Sequence, residues 1–377
     1  MRANRFVIIG LAVLLISVGL GAGGQQPPAP RHEVKQIIAY DQMNKIAILM
    51  GRQEGNQVEF FALPVYESEQ GKLFSLRMVP QRIGRDTLEI AGSGRGDDSR
   101  LLALVNTKRV VVFKLAPLPT DGKVSYNELS TPERILEDHR GIERLRATET
   151  RVVVQQGQRD IAILDAKTFQ EIHRLSLPDP ISNLAVDQDR LGVYAAPWLR
   201  FFDLQGNPVG RPVSVKLVLL GAWEPGFFAQ TDERTLTLWD RNGNRSAEIK
   251  TEQPIQAVAV AQERVGVLSG SQALLFDLRG RRVAAIGGGP FERLAAASRR
   301  FFLSKGQEIR VVDAQDGKSL QTISLRNRLE QMIGFGGRLF IVVREVAEMQ
   351  RLIYALYDEN GTRIEAGFLP TFEGDRP

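Results

Sequence analysis

Hydrophobic positions along the chain fall in short runs rich in Val, Ile, Leu and Phe, broken by Gly, Asp or Asn. Residues 255–286 show this most plainly: "IQAVAVA" from Ile255, "RVGVLSG" from Arg264, "ALLFDL" from Ala273 and "RVAAIG" from Arg282. Runs this short, with β-branched residues inside and turn formers between, predict strands. Beyond the N-terminal region no stretch carries a 3.6-residue apolar period, so no helix is expected.

The runs repeat. Asp165, Asp203, Asp240, Asp277, Asp313 and Asp358 each close one, as in "FFDLQGN", "LWDRNGN" and "LFDLRGR". Gly206, Gly243, Gly280 and Gly317 follow at a constant spacing of 37. A basic residue opens another run at Lys45, Arg100, Arg151, Arg190, Arg264, Arg300 and Arg338, and "GFFAQ" at Gly226 fills the remaining slot, making eight. Four strands per unit of about 40 residues is the signature of a β-propeller blade. The expected fold is all-β: an eight-bladed β-propeller of four-stranded antiparallel blades over 34–370, with seven blades as the runner-up and a polar tail at 371–377.

The recurring Asp-x-x-Gly reads as a hairpin turn between third and fourth strands. Asp hydrogen-bonds the backbone two residues on, and Gly takes the positive φ that other residues adopt only at a cost. A calcium loop starting at Asp240 would need Gly sixth and Glu twelfth, where this chain has Arg245 and Thr251. The units resemble those of WD40-like, YVTN and quinoprotein-type propellers. "DAQDGKSLQTI" from Asp313 is similar to the Asp-Ala-x-x-Gly-Lys turn of the last two, and "LWD" at Leu238 is similar to a WD40 strand end. That resemblance implies a fold and no activity. Trp occurs only at 198, 223 and 239, and Cys is absent, so the docking tryptophans and paired cysteines of quinoprotein dehydrogenases are missing. No cofactor is expected.

The N-terminus carries a separate signal. Arg2 and Arg5 precede the uncharged run 6–20, and Ala22 and Gly24 fit a small-x-small cleavage site before Gln25. Residues 1–24 are expected to be a signal peptide, or a membrane anchor if uncleaved. Residues 25–33 read as a Pro-rich linker that includes His32. Fifteen apolar residues span roughly 22 Å of helix, short of the roughly 30 Å hydrocarbon core, which favours cleavage. Either outcome places the body of the protein in the periplasm or outside the cell. Net charge is +5 and scattered, with no basic stripe, so nucleic acid is not an expected partner.

Candidate chemistry is sparse. "EDHRG" offers Glu137, Asp138 and His139, but neighbours in a strand point apart and no second His is near. His173 falls in a fourth strand. "GSGRGDDSR" from Gly92 lacks the helix a phosphate loop needs. No catalytic, cofactor-binding or metal residue is assigned. The binding candidates are Lys45, Arg100, Arg151, Arg190, Arg264, Arg300 and Arg338, which a ring fold would gather at one channel mouth, and Trp198 on the opposite rim. Converging guanidinium groups would favour an acidic partner. The competing reading pairs each arginine locally, with Asp98, Asp189 and Glu263 as neighbours, and packs Trp198 between blades. The expected function is a non-catalytic protein-binding or scaffold module, monomeric, whose partner is another envelope or secreted protein. The alternative is a propeller enzyme of the lactonase or quinoprotein dehydrogenase type. The membrane is touched only through residues 6–24, if at all.

Overall fold

The computed structural model describes residues 31–40, 45–54, 57–65, 81–84, 87–95, 98–114, 132–223, 226–345 and 351–369. The N-terminal segment 1–30 and the tail lie outside them, as do Gly96 and Asp97. Among the described residues no helix is long and apolar enough to cross a membrane.

Among the described residues, thirty-two strands form eight four-stranded antiparallel sheets, each from one stretch of chain in simple sequential order. The blades cover 31–84, 87–137, 142–176, 181–214, 219–250, 255–286, 293–324 and 328–368. The first strands lie side by side round the centre, and that of blade eight lies beside that of blade one. The ring is an eight-bladed β-propeller, and the seven-bladed alternative is excluded by the eight sheets.

The core is divided among the gaps between blades. Val152 and Val154 face blade two, while Val153, Ile161 and Ile163 face blade four. Alternation along a strand produces this, because each blade buries both faces. Eight apolar clusters result, one per interface. Among the described residues no strand is exchanged between the first and last blades. Closure depends on Val34, Ile37, Ile48 and Met50 packing against Ile333, Phe335, Phe340 and Leu352, an entropically driven burial that needs no shared strand.

One boundary moves. The first strand is Arg31–Tyr40, and Arg31 and His32 already pair with Gln53 and Arg52. Residues 31–33 therefore belong to blade one and not to the linker, because the ladder continues to the end of the second strand.

Candidate functional site

Every basic slot begins a second strand, and Gly226 does the same in blade five. The turn aspartate ends the third strand directly opposite. The register pairs Arg151 with Asp165, Arg190 with Asp203, Gly226 with Asp240, Arg264 with Asp277, Arg300 with Asp313 and Arg338 with Asp358. The two repeating sequence markers are thus cross-strand neighbours on one face of the ring. Lys45 starts the second strand of blade one.

The turns form as their residues require. Asp240 Oδ1 accepts the amides of Asn242 at 2.8 Å and Asn244 at 2.9 Å, and Gly243 has φ +76°. A side chain at Gly243 would also strike the Phe201 ring of blade four, 2.7 Å from an ideal Cβ. Each turn is therefore seated on the preceding blade as well as closing its own.

In blades three to seven, turn length and the residue four after the aspartate together set what its second oxygen meets; blade eight has the short spacing, and there Thr362 gives Asp358 its amide. In blades four, five and six the glycine follows Asp by three residues, and the fourth residue swings its side chain back to the carboxylate. Asn207 Nδ2 reaches Asp203 at 2.9 Å, Asn244 Nδ2 reaches Asp240 at 3.2 Å, and Arg281 Nε reaches Asp277 at 2.8 Å. In blades three and seven the residue with positive φ comes one later, at Phe169 (φ +57°) and Gly317 (φ +76°). There the second oxygen turns to the arginine across the ladder: Arg151 to Asp165 at 3.6 Å, and Arg300 to Asp313. Blade two pairs Arg100 with Glu133 through two bonds, of 2.8 and 3.1 Å.

The ring is consequently uneven. Arg100, Arg151 and Arg300 are matched by carboxylates. Arg190 donates to the carbonyls of Asp189 and Arg241, with the Asp189 carboxylate 4.0 Å away. Arg264 donates to the Glu263 carbonyl and meets no carboxylate within ion-pair distance among the described residues. Of the expected acidic neighbours, Asp98 and Glu263 offer Arg100 and Arg264 their carbonyls. Blade five has no arginine for a steric reason: a Cβ at Gly226 would lie 2.0 Å from the Trp239 carbonyl oxygen.

The pKa shifts follow these contacts. Thr168 and Lys167 amides hold the Asp165 carboxyl below its usual range against opposing burial. At Asp277 burial works against ionisation, and the amide and guanidinium of Arg281 and the Arg279 amide outweigh it, so its pKa is lowered.

On the opposite face Trp198 is 37 % exposed, while Trp223 and Trp239 are 2 % exposed between blades. Trp198 is held firmly. It pairs with Ser214, and Pro197, after a cis bond, accepts the Val215 amide at 2.9 Å. The Val215 carbonyl in turn accepts the Tyr194 hydroxyl at 3.0 Å. The connector beyond ends in exposed Val218. Asp138, considered for chemistry, is bound instead by Arg140 at 3.0 Å, and Arg140 also reaches Asp160 at 3.3 Å. Burial pushes the Asp138 pKa up, but the hydrogen bonds from Arg140 outweigh it and leave the pKa below normal. His173 lies in the fourth strand of blade three against Gly206.

Some participants carried no sequence signal. Phe169 sits where the other turns have glycine, with the Arg100 and Arg134 guanidinium groups each 5.9 Å from its ring. Gln36 of blade one bonds both backbone groups of Ile90, and Glu89 of blade two accepts the Leu145 amide. Both follow a β-bulge in a first strand, a feature that re-aims side chains.

No family model and no curated protein matches the chain. Solved structures do. BamB from Moraxella catarrhalis is similar at 11% identity and a TM-score of 0.51, over 88% of this chain and 97% of that one. Apo AztD from Citrobacter koseri is similar at 12% identity and a TM-score of 0.55, over 78% and 86%. A eukaryotic initiation factor is similar at 14% identity and a TM-score of 0.56, over 92% and 91%. At such identities the likeness is one of fold.

Proposed function

We propose that this β-propeller is an exported, non-catalytic, monomeric scaffold that binds another envelope or secreted protein in the periplasm or on the outer face of the cell membrane. Export is read from Arg2, Arg5, the apolar run 6–20 and the small residues before Gln25. The observation that carries the binding role is Trp198. A partly exposed aromatic side chain fixed on a rigid rim by backbone pairing is the type of residue that anchors interfaces at low entropic cost. The test is a photo-crosslinking residue placed at 198 in the native envelope, with Leu320 on an outer strand as the comparison position. A discrete adduct with one exported protein from 198 and none from 320 is expected. Full-length chain found soluble in the cytoplasm, or adducts equal at both positions, would overturn the reading.

A further inference from the structure

The six turns of blades three to eight differ in charge. From the turn aspartate to the start of the fourth strand, segments 165–171, 203–208, 313–319 and 358–363 each hold one more acid than base. Blade five reverses this, with Arg241 and Arg245 against Asp240. Blade six goes further, with Arg279, Arg281 and Arg282 against Asp277. The two positive turns are contiguous. An ideal Cβ at Gly280 lies 2.9 Å from the Glu248 carbonyl oxygen, so the blade six turn rests on the fourth strand of blade five.

Three of the arginines there are occupied: Arg281 with Asp277, Arg245 with Glu248, and Arg241 with Asp187. Three are not matched by any carboxylate among the described residues. Arg264 lies across the ladder from an aspartate already taken, and Arg279 and Arg282 are exposed on the turn.

We propose that Arg264, Arg279 and Arg282 form a docking site for an acidic segment of a protein partner. Guanidinium groups give planar, paired donors suited to carboxylates and are always charged. The remainder of the face argues against a flat anionic surface such as a bilayer, which would also meet the net-negative turns of blades three, four, seven and eight. A segment confined to two blades avoids them. The site lies on the face opposite Trp198 and goes beyond the role proposed for that rim.

The test uses the folded chain and a fluorescent Glu/Asp-rich peptide, with affinity measured at two ionic strengths. The triple variant Arg264→Gln/Arg279→Gln/Arg282→Gln should bind at least about tenfold more weakly and lose most of its salt dependence. The matched triple Arg159→Gln/Arg326→Gln/Arg328→Gln, on the opposite face, removes the same charge and should bind like the native chain. Arg279→Gln/Arg282→Gln, both exposed, should weaken binding by a smaller factor and covers the case in which the triple does not fold. Trp198→Ala should leave peptide affinity unchanged, so failure here is separable from failure of the Trp198 reading. Equal loss in both triples would overturn the proposal as mere net charge. Sector-dependent binding to phosphatidylglycerol vesicles without peptide binding would overturn it in favour of a lipid surface.

Discussion

Blades six and seven are built on the same register and use it differently. Both place an arginine at the start of the second strand opposite an aspartate at the end of the third. In blade seven Arg300 and Asp313 pair, whereas in blade six Asp277 turns to Arg281 and Arg264 is left without a carboxylate. The cause is one residue of turn length and the side chain that this length places four after the aspartate. A three-residue spacing brings the amide and side chain of Arg281 onto Asp277 together, while in the longer turn the residue four on is Gly317, which has no side chain to offer. A local hydrogen bond thereby sets the electrostatics of a strand end, since the two partners compete for one oxygen.

The first way to break the comparison is to fill the empty slot. Gly226→Arg would give blade five its arginine, but the Cβ would meet the Trp239 carbonyl oxygen. The expected cost is about 3 kcal/mol, read by urea unfolding. A near-neutral result would mean that the close approach does not explain the missing arginine. Next, Gly317→Val attacks the longer turn. The φ of +76° and the Ala284 methyl 2.4 Å from an ideal Cβ predict a loss on the order of 2 kcal/mol. Unchanged stability would show that the turn does not need glycine.

A smaller effect concerns acid. Asp165 and Asp277 have folded pKa values below their unfolded ones. Their contribution is complete at neutral pH and is lost as pH falls below the ordinary value of about 3.9 and through the lowered folded values. The melting temperature should therefore fall in that window, and Asp165→Asn should flatten part of the fall. An identical acid profile in the variant would assign the loss to other groups.

The blade count was readable because the two markers recur at nearly constant spacing, and "GFFAQ" could be placed by period alone. The turn glycines were readable because positive φ nearly demands glycine. Phe169 was not, because a bulky residue at φ +57° is kept there by tertiary packing in the core between blades two and three and by the guanidinium groups of Arg100 and Arg134. The arginine face was half readable. The positions could be placed, but the aspartates that face them lie across a ladder, 13 residues away for Arg264 and Arg300, and of those two only Arg300 pairs with its own. The extra residue in "DAQDGK" relative to "DLRGR" was visible, yet its consequence appears only when the Asp second oxygen is located. Trp198 could sit in a loop or between blades on sequence alone, and only its neighbours in space put it at the start of a strand with about a third of its surface, 37 %, exposed.

The account is tested most directly by a pair of double-mutant cycles on unfolding free energy, one for Arg300→Gln with Asp313→Asn and one for Arg264→Gln with Asp277→Asn. Each arginine faces the equivalent aspartate in its own blade, so backbone position alone predicts equal coupling. The account predicts a coupling of about 1 kcal/mol in blade seven and close to zero in blade six. Equal coupling in the two blades would contradict it.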